Sequence, residues 1–557
     1  MEYSAYAENN RRKEMKKFLT VVLMLCMVAT SVVFAGGSKE PATSSVAVSS
    51  DVPGWKAAAA NPIEFDWYLH FSWFARHWGD SVVSKYITEK TGVSLNFVVP
   101  AGNEAEKLNA MIAGDALPDF ITIGWWEGQV NQMIDADLVY ALDELADKYD
   151  PYWHKVVNPD LVGWYTKDDG HIYGYPNSSY TPADYKTYAG QLTSNETFLV
   201  RKDMYEAIGS PDMSTPEGFV AALKKAKEMF PTVNGQPLIP FAANEFGDIG
   251  EASITKILPH FLAINPEQNG KFIDYNLGLT ENTEYVRWLK ALNTASREGL
   301  ISTDIFVDKR SQIEEKAAQG RYFALFFQNC DMVTAQNTLY AADPNSIYIA
   351  VDGPKNSKGE AHKLGGGGIA GWTVTLISKN CKDPARAIQF LTYLISEEGL
   401  MDCYFGKEGE TYNMVNGVPT FTPEVYDLKM NNNEKQETEI GTQWTYWMLQ
   451  NTAWSDKFGK EYAPAIEQPY LWSMDYATSY AAYDGLTLPV GSDEDLIYQE
   501  IQREWGKVLV NLIQAKSDAE FDKIINDFNK FKKDLGVDKV IEAQTAMMKV
   551  QKAKLGM

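Results

Sequence analysis

The stretch IEFDWYLHFSWFARHWGDSVVSKYITEKTGVSLNFVVPAGNEAEKLNAMIAGDALPDFITI, residues 63–123, determines the fold because strand-like and helix-like patterns alternate along it. Strands are predicted over 63–68, 93–99 and 117–123, and helices over 78–91, 103–113 and 130–136. Strand–helix–strand repeats of this length are typical of parallel βαβ units. The stretch therefore predicts an open α/β sheet.

A second α/β region follows. Strands are predicted over 196–201, 320–327, 346–351 and 372–377, and helices over 203–208, 215–228 and 384–396, with a mostly helical part from about residue 496. At 557 residues and 45% hydrophobic content, the chain is long enough for two or three domains with their own cores.

Aromatic residues cluster just past the predicted ends of the first strands, in the loop 70–77 and the segment 124–128. Ligands bind beyond the carboxyl ends of strands in such sheets. The chain is 13% aromatic, with 15 Trp and 30 Tyr. Aromatic faces suit the C–H faces of sugar rings, and Asp, Asn and Gln suit the hydroxyls, so the mixture indicates a carbohydrate cleft.

Residues 15–35 read as an export signal. Lys16 and Lys17 precede an apolar run, and Val33-Phe34-Ala35 resembles a cleavage site, so cleavage is predicted after Ala35 with Met15 as the true start. A flexible leader, 36–54, would follow. A permanent membrane anchor is the alternative, because the run approaches the lower limit for spanning a bilayer. The polar leader favours cleavage, and a lipid anchor at Cys26 is not expected, although it is not excluded. The protein is thus predicted to work in the periplasm or at the cell surface.

The chain is acidic and poor in cysteine. Its formal charge is −23, and loss of residues 1–35, with five basic and three acidic residues, would leave −25. Such a surface repels phosphate backbones and anionic lipids, so nucleic acid and membrane-surface partners are disfavoured. Past the leader, Cys330, Cys381 and Cys403 are too few and too widely spaced for a disulfide framework. One bridge, between Cys381 and Cys403, and three buried thiols both stay open.

No cofactor or metal motif is convincing. Gly366-x-Gly368-x-x-Gly371 matches the letters of a dinucleotide fingerprint, but a strand follows the glycines where that chemistry needs a helix. Walker A, HExxH and Cys/His metal spacings are absent from the sequence. Carboxylate pairs such as Asp168-Asp169 are expected by chance in so acidic a chain. The sequence predicts neither a catalytic residue nor a cofactor.

Several segments, in order, resemble the extracellular solute-binding proteins of ABC importers, family 1, of the carbohydrate, maltodextrin-binding-like type. The similar segments are 107–120 (KLNAMIAGDALPDF), 170–176 (GHIYGYP), 198–203 (FLVRKD) with Gly209 and 215–219 (TPEGF), 383–387 (DPARA) and 396–399 (SEEG). The resemblance runs over about residues 60–415. It implies a type II-like binding-protein fold with two α/β lobes and crossing hinge strands. The lobes would be 55–175 with 350–415, and 176–349 with 416–557.

The resemblance also implies which residues contact the ligand, and it points to a loop that binds calcium in some members of the family. The residues expected at the ligand are Trp73, Trp125, Trp126, Glu127, Asn329, Asp331 and Trp372. For Trp125 and Trp126 the alternative is a core position, for Trp372 hinge packing, and for Asp331 a helix N-cap. Trp444 and Trp472 are weaker candidates. Some long members carry a calcium loop where this chain has 229–238, but that stretch lacks the acidic ligands a hard cation needs, so no metal is predicted.

The sequence therefore predicts a non-enzymatic, exported binding protein, a monomer, that delivers an oligosaccharide to the membrane permease of an ABC importer. Two alternatives remain open. One is a secreted polysaccharide-degrading enzyme that uses the same aromatic cleft, and the other is a binder of a non-sugar solute such as a peptide or lipid-linked molecule.

Overall fold

Nine strands form the two larger sheets in the part of the chain that the structure, a computed structural model, describes: residues 50–442 and 449–557. In chain order they are β1 (Ile63–Leu69), β2 (Val93–Val98), β3 (Phe120–Gly124), β4 (Gly174–Pro176), β5 (Glu196–Arg201), β6 (Ile239–Ala242), β7 (Tyr322–Gln328), β8 (Tyr348–Ala350) and β9 (Thr373–Ile377). The described residues belong to one unit, Val48–Met557. The predicted signal, 1–35, lies outside the described residues.

The first sheet has the order β2-β1-β3-β9-β4. β1 runs parallel to β2 and β3, whereas β9 is antiparallel to β3 and to β4. Its two faces are covered by separate apolar cores, one containing Phe65, Trp67 and Phe120, the other Tyr68 and Ile121. The sheet predicted from residues 63–123 is therefore present, with β9 and β4 added from distant parts of the chain.

The second sheet has the order β8-β5-β7-β6. β7 is antiparallel to β5 and parallel to β6, and β8 is antiparallel to β5. Its central strand, YFALFFQ in β7, is buried from Tyr322 to Phe327, as expected of a strand covered on both faces.

The α-helices surround both sheets. Before residue 260 they are Gly54–Ala58, Val82–Thr91, Glu104–Ala113, Gly128–Asp135, Leu142–Tyr149, Trp153–Val156, Pro159–Tyr165, Pro182–Thr187, Lys202–Ala207 and Pro216–Met229, followed by Leu258–Phe261. After it they are Thr283–Arg297, Arg310–Ala318, Val333–Ala342, Pro384–Ile395, Glu397–Phe405, Pro423–Asn431, Asn433–Lys435, Thr452–Asp456, Glu467–Ser473, Asp493–Gln514, Asp518–Leu535 and Val537–Lys554.

The helix predicted over 78–91 begins four residues later, at Val82. The Ser81 side chain accepts the backbone N–H of Ser84, which fixes the start of the helix. Gly92 ends it with φ +69°, and a Cβ there would lie 2.4 Å from the Ala59 carbonyl oxygen. Trp78 lies outside the helix, and its indole N–H donates to Thr88 Oγ1 at 2.7 Å.

The C-terminal helices belong to the core of the second sheet. Trp505, Leu509 and Phe528 are buried in the same apolar cluster as the β5 and β7 side chains. The structure thus has the predicted α/β architecture with two sheets, two lobes and a helical C-terminal part. The lobe limits 55–175 with 350–415, and 176–349 with 416–557, stay predictions.

The cysteines form no bridge among the described residues. Cys381 and Cys403 are buried free thiols, whereas Cys330 is free and exposed. Of the two alternatives left open by the sequence, the bridge is not formed, and only two of the three thiols are buried. Stability comes from packing in these cores.

Candidate functional site

One end of the first sheet collects five of the seven expected site residues. Leu69 in β1 pairs with Thr122 in β3, and Gly124 in β3 pairs with Thr373 in β9. The loop after β1, the segment after β3 and the residue before β9 therefore leave the sheet at the same edge. Those pieces carry Trp73, Trp125, Trp126, Glu127 and Trp372, which we call the indole edge.

Two rings of the indole edge, Trp73 and Trp372, stack on each other, and Phe71 packs against both at a tilt. The Trp73 and Trp372 ring centroids are 6.1 Å apart with planes 11° from parallel, and Phe71 lies 5.2 Å from Trp372. Trp73 is 52% exposed, while Trp372 is half-buried beneath it. The stack thus offers one indole face to solvent, and Trp372 supports it from behind.

Trp125 and Trp126 have different roles. The Trp125 indole N–H donates to the Gly371 carbonyl at 3.1 Å, which ties β3 to the segment before β9. Trp126 meets Trp125 edge to face at 5.8 Å and is 47% exposed. Its ring lies against the backbone of Gly124, where a Cβ would come within 2.7 Å of it. Trp125 therefore braces the edge, and Trp126 presents surface.

Glu127 follows at the N-terminus of the helix Gly128–Asp135 without capping it. Burial raises the pKa of its carboxyl, and a hydrogen bond from the Trp126 side chain partly opposes that shift. A desolvated carboxylate beside two indoles is suited to accept hydrogen bonds from hydroxyl groups.

The other two expected residues follow β7 in the second sheet. Asn329 is fully buried, its backbone N–H donates to the Asn195 carbonyl at 2.8 Å, and its side-chain amide has no hydrogen-bond partner among the described residues. Asp331 is 2.6 Å from the Arg310 guanidinium, which also lies 4.6 Å from the Phe327 ring. The predicted alternative for Asp331, an N-cap, is not observed. Asp331 is therefore part of an ion pair, whereas the Asn329 amide is buried and has no partner among the described residues.

A glycine segment, Gly365–Gly371, connects the two sheet edges. At its start, the Gly365 N–H donates to the Glu196 carboxylate at 2.8 Å, which also contacts His260 Nδ1 at 2.8 Å. At its end, Gly371 accepts from Trp125. Side chains at Gly366 and Gly367 would meet Tyr185 and Tyr180 within 2.4 Å and 2.2 Å, so these tyrosines pack directly on the backbone.

Two further segments accompany it. Asn177, just after β4, accepts the Trp372 N–H and the Thr373 N–H, and Tyr180 donates its N–H to Gly368. Thr478 accepts the N–H of Gly366. Three lengths of chain therefore cross between the sheets side by side, which is the arrangement of a hinge.

Sequence reasoning missed the residues that the third crossing segment brings. Asp484 lies against Gly368, where a Cβ would be 2.2 Å from its carboxylate, and Gly485 lies against the Trp125 ring. The mixture of aromatic and acidic residues in 480–484 (YAAYD) is the same signal that marked the indole edge. No strand end is predicted there, so the sequence pattern alone does not place these residues at a ligand.

The weaker candidates do not join the indole edge. Trp472 packs on the second core, 6.0 Å from Phe261, and its indole N–H donates to Asp352. Trp444 lies outside the described residues.

The stretch 229–238, tested for calcium above, forms a short hairpin, Thr232–Val233 with Gln236–Pro237, whose turn places Asn234 and Gly235 at positive φ. Nowhere in residues 50–442 and 449–557 do three or more His, Cys, Asp or Glu side chains gather as metal ligands would. Within the same residues, every helix is too short or too polar to cross a bilayer.

The chain belongs to the bacterial extracellular solute-binding protein family, whose model matches residues 83–429. The family consists of binding proteins, as the resemblance of the sequence implied. No curated protein sequence matches the chain.

Solved structures share the fold over most of their length. The alginate-binding protein AlgQ2, solved without calcium ion, is 18% identical, with 88% of this chain and 98% of that chain covered and a TM-score of 0.60. The S. pneumoniae ABC-transporter substrate-binding protein FusA, in complex with kestose, is 16% identical, with 88% and 100% covered and a TM-score of 0.59. An HMO-binding, ABC-transporter-associated solute-binding protein from Bifidobacterium longum infantis is 13% identical, with 88% and 99% covered and a TM-score of 0.62.

Proposed function

We infer that this protein is the exported substrate-binding component of an ABC importer, and that it binds an oligosaccharide between the two sheet edges and delivers it to a membrane permease. The observation that carries the proposal is the indole edge, where Trp73 and Trp126 expose about half of their surface beside a desolvated Glu127. Large aromatic side chains half-exposed in one place mark a binding surface.

The chemistry of the edge suits sugar rings. Indole faces cover the apolar C–H face of a pyranose or furanose ring, while a few fixed polar groups orient the hydroxyls. Glu127 supplies two acceptor oxygens, and the Asn329 amide supplies both a donor and an acceptor. The Asp331–Arg310 ion pair supplies further acceptor and donor groups for the sugar hydroxyls.

The crossing segments support a closing motion. The two lobes are joined by three lengths of chain that lie side by side. The lobes can rotate about these segments without disturbing either core. A ligand that touches both edges binds the closed form better, so it shifts the open–closed balance by that difference in affinity. Closure would also remove water from the half-buried Glu127 carboxylate.

The named neighbours support the choice of ligand class. One of them binds alginate, one was solved in complex with kestose, and one binds HMO. Export, action as a monomer and delivery to a permease are part of the same proposal, and the family's extracellular character supports export.

The proposal can be tested with a glycan panel. Neutral and acidic oligosaccharides are added to the purified protein, thermal unfolding is followed, and the mixtures are analysed by chromatography. We expect reversible stabilisation by one class of oligosaccharide, worth about 2.7 kcal/mol at a hundredfold excess over Kd, without any product. Sucrose at equal osmolality controls for non-specific stabilisation.

Small-angle scattering with the best glycan then tests closure, which we expect to reduce the radius of gyration. Release of shorter glycans would show a hydrolase instead, and stabilisation by peptides alone would show a non-sugar binder. Either result would overturn the proposal. Uptake of the labelled glycan by cells with and without the gene tests delivery.

A further inference from the structure

Asp484 is a carboxylate at the glycine segment that no cation among the described residues neutralises. Its side chain packs against Gly368, and the next residue, Gly485, packs against Trp125 of the indole edge. Among the described residues it has neither a hydrogen-bond partner nor an ion-pair partner, and burial alone raises its pKa to about 7. The groups that face it are the phenols of Tyr165 and Tyr185, whose pKa values are raised by burial first and by the charge of Asp484 second.

Asp484 is half-buried. A desolvated carboxylate without a partner is costly, so proteins normally give such a group a partner. Tyr165 cannot be that partner, since its hydroxyl donates to the Ala370 carbonyl, and the Tyr185 hydroxyl donates to Gly367. The missing donors are thus left to a ligand that enters beside Trp125.

The cations at the two edges are already engaged. Arg310 is paired with Asp331 and Glu314, and Arg76, in the loop after β1, is paired with Glu434 and Glu437. His260 contacts Glu196. Lys363, just before the glycine segment, is exposed, so solvent screens its charge. The undescribed stretch QWTYWM, 443–448, contains no charged residue.

We propose that Asp484 selects the class of saccharide: it accepts hydroxyl groups of an uncharged sugar ring beside Trp125 and excludes rings that carry a carboxylate. The inference rests on the proposed function and sharpens it. A neutral ring supplies the O–H donors that Asp484 lacks, and it can add donors to Glu127, which accepts one hydrogen bond from Trp126. A uronate ring would bring a like charge to the same poorly solvated place, where repulsion is weakly screened.

The test compares matched probes. Maltotetraose, cellotetraose and mannotetraose are each measured beside the same tetrasaccharide oxidised at C6 to its uronate, with an alginate tetrasaccharide as an independent anion. Dissociation constants are taken at pH 8 for the wild type, Asp484→Asn and Asp475→Asn. Asp475 is an exposed carboxylate nine residues earlier, so its variant makes the same change in net charge without touching the glycine segment.

We expect the wild type to bind at least one neutral probe and to bind its oxidised form at least tenfold more weakly. Asp484→Asn should reduce that ratio at least threefold, and Asp475→Asn should leave it unchanged. Equal or tighter binding of the uronates or alginate would overturn the inference while the proposed function stands. If no glycan of either kind binds, both fail.

A second readout needs no variant, and serves if Asp484→Asn does not fold. Because the pKa of Asp484 is raised to about 7, its charge is lost as the pH falls from 8 to 5.5, whereas a sugar carboxylate stays ionised. The wild-type preference for the neutral probe should therefore shrink at least threefold at pH 5.5. Burial also raises the pKa of Glu127 above its usual value. A preference that is constant with pH overturns the inference.

Discussion

Trp505 in the C-terminal helix Asp493–Gln514 and Trp126 after β3 are the same side chain in two different surroundings. Trp505 is fully buried, and its indole N–H donates to Thr255 Oγ1 at 3.2 Å. Its ring presses on Gly278, where a Cβ would lie only 2.7 Å away. Trp126 is 47% exposed and touches mainly Gly124 and Trp125.

Two asparagines show the same contrast. Asn293 is buried under the C-terminal helices, and its side-chain N–H groups donate to the carbonyls of Leu512, Ile513 and Ala515. Asn329 is equally buried, but its amide has no partner among the described residues. Core groups are normally satisfied, so unsatisfied groups of the same type indicate a place shaped for something other than stability.

The largest effect is expected on the core side of this comparison. Trp505→Ala removes a fully buried indole from a packed cluster, so the free energy of unfolding should fall by about 3–5 kcal/mol. Guanidinium denaturation, followed by far-UV circular dichroism, measures this loss.

In the same variant, the affinity for the best glycan of the panel should change less than twofold at a temperature where the protein stays folded. A loss of stability below about 1 kcal/mol would mean that the core around residue 505 repacks to fill the cavity. A large loss of affinity in a folded Trp505→Ala protein would show that the two regions are coupled.

At the indole edge we expect the opposite result, a large loss of affinity with little loss of stability. Trp126→Ala should weaken glycan binding at least tenfold, because the exposed indole face is lost, and should leave the melting temperature nearly unchanged. Isothermal titration calorimetry and a thermal melt without ligand give the two numbers. Unaltered affinity would remove Trp126 from the site, and a lower melting temperature would make it a core residue.

The sequence predicted what local patterns control. Parallel strands with aromatic residues past their ends predict Trp73 and Trp126 at one edge, because the carboxyl ends of parallel strands lie at the same edge of a sheet. Trp372 is expected there only from the family resemblance. The helix boundary at Val82 needed the cap by Ser81, which a periodic pattern does not show.

The long-range contacts could not be predicted. Asp484 is more than a hundred residues away from Gly368 in the chain, and only the folded crossing segments bring its carboxylate there. The same is true of the Arg310–Asp331 ion pair, because no local sequence pattern around either residue predicts the contact. Tertiary packing decides which carboxylate has a cationic partner and which has none. The proposed selection between neutral and charged sugars therefore could not be predicted from the sequence.

The smallest effect we expect concerns the asparagine pair. Asn329→Ala breaks no side-chain hydrogen bond among the described residues, so the free energy of unfolding should change by less than about 1 kcal/mol, while glycan affinity falls about fivefold.

Asn293→Ala is the matched control: it loses contacts to three carbonyls and should unfold more easily by about 1–3 kcal/mol with unchanged affinity. Urea denaturation measures the stability of both variants, and calorimetry measures their affinity for the glycan. Together they show whether each asparagine serves the fold or the ligand. If Asn329→Ala is the less stable of the two and binds glycan normally, the amide serves the fold. The second sheet would then contribute to ligand binding through the Arg310–Asp331 pair, without Asn329.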